Sequence, residues 1–64
     1  MTAPEGFPRA IGRPATGALL AAGYTGLSQL DGVPAADLLR LHGVGPKAIA
    51  VLREAMTARG LSLG

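Results

Sequence analysis

The sequence predicts one all-α domain of four short, compactly packed helices, and three observations lead there. Of 64 residues, 48% are hydrophobic, yet only Phe7 and Tyr24 are aromatic. The core is therefore built from Leu, Ile, Val, Ala and Met, a set that packs helices more readily than sheets. The 10 Gly and 5 Pro stand at intervals between apolar runs, as punctuation between short elements rather than as a low-complexity tract. Towards the C-terminus, Ile49, Leu52 and Met56 recur at spacings of three and four, the mark of one helix face. The length suits one small domain and is too short for two.

Residues 1–12 hold Pro4, Gly6, Pro8 and Gly12, a spacing that prevents a sustained helix and leaves Phe7 and Ile11 free to pack onto the rest of the chain. They are expected to form a partly docked arm, with 13–64 as the domain. A first helix is predicted over 14–22. Pro14 suits its first position, where a missing N–H is no loss, and Gly23 suits a left-handed cap. The interior Gly17 costs roughly 1 kcal/mol relative to alanine, so this helix needs its neighbours. Thr25 is the expected cap of a second helix, two turns at most, carrying Leu27 and Leu30 and closed by Asp31-Gly32. Pro34 opens the third, with Asp37 in its first turn and Leu38, Leu39 and Leu41 as the buried stripe, and it stops at His42-Gly43. Pro46 starts the last helix, which turns Ile49, Leu52 and Met56 inward and leaves Lys47, Arg53, Glu54 and Thr57 elsewhere. It ends at Gly60, beyond which Leu61 folds back on Met56.

The charged side chains number 6 basic and 4 acidic, a net +2, too slight by itself to imply a polyanionic partner. There is no cysteine, hence no disulfide and no thiolate ligand, which fits a reducing compartment. The first residues lack the basic cluster and apolar run of a signal peptide. No stretch approaches the roughly 18 apolar residues of a membrane span, so a cytoplasmic protein without membrane contact is expected. Catalysis has no visible apparatus: Ser28, Ser62 and Thr16 have no His and Asp arrangement to activate them, and the carboxylates are scattered. His42, the sole histidine, reads as a packing or hydrogen-bonding residue. No enzyme activity, cofactor, metal or small-molecule substrate is expected.

The stretch that carries chemistry is His42-Gly43-Val44-Gly45-Pro46-Lys47-Ala48. Two glycines around one apolar residue permit positive φ and close backbone approach, Val44 drops between the helices and pins the turn, and the small Ala48 lets them cross closely. The product is a helix N-terminus whose amides face outward, an anion site for which a nucleic-acid phosphate is the obvious occupant. Pro46 has no N–H, which leaves Gly45, Lys47 and Ala48 as donors. Lys47 strengthens the reading. The macrodipole opposes a cation in a first turn by about 0.3–1 kcal/mol, so its presence points to an external negative charge. A weak pseudo-repeat links this segment to Gly12-Arg13-Pro14-Ala15.

These residues resemble the helix-hairpin-helix motif of DNA-binding proteins: a helix, a Gly-apolar-Gly hairpin, then a basic and a small residue at a helix start. Residues 38–64, and Tyr24-Thr25-Gly26-Leu27-Ser28-Gln29-Leu30 before them, are similar to the C-terminal domain of the bacterial RNA polymerase alpha subunit. The resemblance covers about three-quarters of the chain. It implies a compact four-helix, SAM-like domain that touches the DNA backbone near the minor groove through the glycine turn, the following Lys and an Arg at the start of the first helix. Gly45 and Lys47 match directly, and Arg13 lies about one residue from the Arg position. Where polymerase members carry Asn, Lys and Ser around the turn, this chain has Gly43, Pro46 and Ala48, and a polar residue of the first helix is replaced by Gly17. Backbone attachment without strong sequence preference is therefore the expectation for this stand-alone relative. Its DNA-binding residues would be Gly43, Val44, Gly45, Lys47 and Ala48, with Arg13 and Arg40 in support, while Arg53 and Arg59 read as solvated. The alternative is a protein-interaction module of the same fold whose basic residues are incidental.

Overall fold

The computed structural model of the protein describes residues 6–64, so residues 1–5 of the expected arm lie outside the described part. Among the described residues there are three α-helices: α1 over Gly12–Ala21, α2 over Ala35–Leu39 and α3 over Pro46–Ala58. Single 3-10 turns stand at Arg9–Ile11 and Leu27–Leu30. Among the described residues there is no strand, and one isolated parallel bridge joins Gly6 to Gly26. The domain is mostly helical, but with three α-helices where four were expected.

The missing helix is the second, and its local chemistry explains why. Extended backbone at Gly26 and the Asp31-Gly32 reversal leave only the four residues Leu27–Leu30, too few for an α ladder, so they close with the tighter i→i+3 pattern. Thr25 does not cap them. Instead the Gln29 side chain turns back, its Oε1 accepting from the Thr25 N–H and, at 3.1 Å, from the Thr25 hydroxyl. The first 3-10 turn runs directly into α1, which therefore begins at Gly12, two residues before the expected start. Pro14 still occupies the first turn, where no intrahelical acceptor needs its N–H.

Both long helices stop as their sequences predict. At the end of α3, Gly60 takes φ +75°, the Leu61 N–H donates to the Met56 carbonyl at 2.8 Å, and the Gly60 N–H donates to the Thr57 carbonyl at 3.1 Å. The same paired bonds close α1 around Gly23, from Tyr24 to Leu19 and from Gly23 to Leu20.

Leu19, Leu30, Leu38, Leu52 and Met56 are fully buried, and Ile11, Ala15, Leu27, Val44, Ala48 and Ile49 complete the core. Every helix and both 3-10 turns contribute, and α3 supplies the largest share. One expectation fails here. Of the predicted stripe on α2 only Leu38 is buried. Leu41 is half-buried and Leu39 is 44% exposed, because a helix of five residues turns a single leucine inward. No charged or polar side chain is buried among the described residues, so apolar packing and backbone hydrogen bonds hold the fold. The chain's last residues are tied to the loop before α2. The Gly32 N–H donates to the Ser62 carbonyl and the Gly64 N–H to the Val33 carbonyl, both at 2.8 Å, and the Ser62 N–H donates to Asp31 Oδ1 at 3.1 Å. The radius of gyration, 10.6 Å, is that of a close-packed chain of this length, about 11 Å by the usual scaling.

Candidate nucleic-acid interface

The hairpin between α2 and α3 is built by short-range backbone bonds around one apolar anchor. The Leu41 N–H donates to the Leu38 carbonyl at 3.0 Å, and the Val44 N–H to the Leu41 carbonyl at 3.1 Å. The Val44 side chain, 6% exposed, belongs to the core, and so does Ala48 at 7%. Neither side chain is available to a ligand, so at these positions only the main chain can take part in binding.

The flanking glycines do different work. Gly43 has φ +101°, and a Cβ there would meet the Pro14 carbonyl oxygen at 2.8 Å and its carbon at 3.1 Å. Glycine is demanded twice over, by the left-handed conformation and by the first turn of α1 lying against the hairpin. Gly45 is extended, with φ −119° and ψ −179°, a conformation open to any residue, and a Cβ there would meet no atom within 4 Å. The expectation that both glycines serve the turn is corrected: Gly43 does, whereas Gly45 faces open space.

Gly45 is the N-cap of α3, and its carbonyl accepts from the Ile49 N–H at 3.1 Å. No side chain caps this end, and the first turn holds no acid. Of the groups that lack an intrahelical acceptor, Pro46 has no hydrogen, which leaves the N–H donors of Gly45, Lys47 and Ala48 at the site. Pro46 and Lys47 are exposed and Gly45 is partly so. The corner thus combines main-chain donors and an adjacent ammonium, with no acid in the first turn of α3.

The contact between Gly43 and Pro14 brings exposed Arg13 to within one residue of the hairpin. Arg40 is exposed at the C-cap of α2, three positions before Gly43, where a cation also complements the carbonyl end of a helix. His42 is exposed at a shallow groove beside Ala18, Ala21, Ala22 and Leu41, not packed into the core. Arg9 is a cation that the sequence pattern alone does not single out. It is exposed and, with Arg13, lines an open groove of about 760 Å³ along α1. The sequence does divide at Gly12, which takes φ +86° between the 3-10 turn and α1, so no helical spacing announces the pair; the fold across that turn brings Arg9 and Arg13 to one groove.

Among the described residues no three His, Cys, Asp or Glu side chains gather as a metal site would require, and no helix is long and apolar enough to cross a membrane. No family model matches the chain, and neither a curated protein nor a solved structure does.

Proposed function

We propose that this protein is a small, non-catalytic, cytoplasmic DNA-binding module of the helix-hairpin-helix type. In this reading it is a relative of the RNA polymerase alpha C-terminal domain that holds duplex DNA by its phosphates without strong sequence preference. The observation that carries the reading is the uncapped N-terminus of α3, with open space in front of Gly45 and Lys47 beside it. In this role the amides of Gly45, Lys47 and Ala48 donate to one phosphate and the Lys47 ammonium neutralises it. Gly43 and Val44 hold the turn that presents them. Arg13, held near the hairpin by the Gly43–Pro14 packing, and Arg40 reach adjoining phosphates. Gly43, Pro46 and Ala48 offer no polar side chain to a base edge, which favours backbone attachment.

With some two to four phosphates neutralised, log K should fall with log salt at a slope of roughly −2 to −4. Fluorescence anisotropy on labelled duplexes of unrelated sequence measures it. Lys47→Ala should weaken every duplex alike and reduce the slope by about one. If the variant and the native protein have the same affinity and slope at low salt, Lys47 has no phosphate and that half of the proposal is wrong.

A further inference from the structure

The groove along α1 has features the hairpin does not use. Its floor is apolar, formed by half-buried Phe7 and by Leu20, which at 50% exposure is the most exposed large hydrophobic side chain among the described residues. At its rim stand Arg9 and Arg13, both exposed, and no acidic residue among the described residues lines it. One turn further along α1 from Arg13, the groove is also lined by Gly17, where a Cβ would meet nothing within 4 Å. The fold has no steric need for glycine there, and alanine would favour the helix. A bare backbone at that point lets something outside the protein come close.

We propose that this groove docks a short acidic and apolar segment of a partner protein. An apolar side chain lies over Gly17 against Leu20 and Phe7, and neighbouring carboxylates of the same segment accept hydrogen bonds from the Arg9 and Arg13 guanidinium groups. Arginine matches carboxylates through its planar fork, and the apolar floor supplies the desolvated centre such contacts need. A sugar-phosphate strand would satisfy the two cations but leave Leu20 and Phe7 without an apolar partner, so a peptide fits the whole surface better. This inference is independent of the DNA reading, although Arg13 borders both surfaces.

The test is selection of short random displayed peptides on the full chain. Recovered peptides are then titrated, fluorescein-labelled, against native protein, Arg9→Ala and Gly17→Gln. Glutamine is a good helix former that fills the groove, so the melting temperature should hold or rise. The expected peptides carry an apolar residue with Asp or Glu beside it. They should bind Gly17→Gln and Arg9→Ala about tenfold or more weakly, while duplex binding by Gly17→Gln stays unchanged. No enriched peptide, or peptides that bind Gly17→Gln as tightly as native protein, would overturn the proposal. So would a loss of duplex affinity in Gly17→Gln, which assigns the groove to nucleic acid.

Discussion

Gly43 and Gly45 are separated by a single residue and identical in type, yet the physics that selects each is different. At Gly43 any side chain meets both a left-handed backbone and the Pro14 carbonyl 2.8 Å from its Cβ, and backbone atoms do not step aside as a flexible side chain would. Gly43→Ala should therefore cost about 2–4 kcal/mol, read from the shift of the urea midpoint. A loss below about half a kcal/mol would mean the hairpin does not rest on α1. The Gly-Val-Gly pattern is legible in the sequence, and so is the buried anchor Val44. The separate purposes of the glycines are not, because the distinction depends on Pro14, some thirty residues away.

Among elements, legibility tracks local chemistry. The start of α3 at Pro46 and the stops at Gly23 and Gly60 are readable because a proline or a left-handed glycine fixes its own surroundings. The second predicted helix fails because two leucines three apart suit a 3-10 turn as well as an α-helix, and only the bounding Gly26 and Gly32 decide. Leu39 is misplaced for a similar reason: on a five-residue helix the stripe rule runs out after one turn. The stop of α3 has its own consequence. Gly60→Ala forces a side chain into φ +75° and loosens the bonds from Leu61 and Gly60 to the last carbonyls. It should cost about 1 kcal/mol, with hydrogen exchange of the Leu61 amide accelerated. Unchanged exchange and stability would show that Leu61 does not depend on that cap.

At the scale of the molecule, contacts distant in sequence decide what the surface offers. The hairpin lies on the first turn of α1, and residues 62–64 lie on the loop at 31–33. Both contacts are made largely by backbone atoms, which is why no side-chain pattern announces them. The first sets Pro14, the residue after Arg13, against Gly43, two positions before Gly45 and four before Lys47, in a protein whose net charge is only +2. In the proposed function it is the concentration of donors at one corner, rather than total charge, that attracts a polyanion.

The most direct measurement is an amide NMR titration with duplex DNA, run in parallel on native protein and on Gly45→Asp. Aspartate at an extended N-cap accepts from the free amides of α3 and should stabilise the fold by a few tenths to about 1 kcal/mol, while placing its own carboxylate where the phosphate would sit. The account predicts that duplex shifts the amides of residues 43–48 first in the native protein, and that Gly45→Asp melts at a higher temperature yet responds at least about tenfold more weakly. A silent hairpin in the native protein, or a stabilised Gly45→Asp that still binds duplex at full strength, would contradict it.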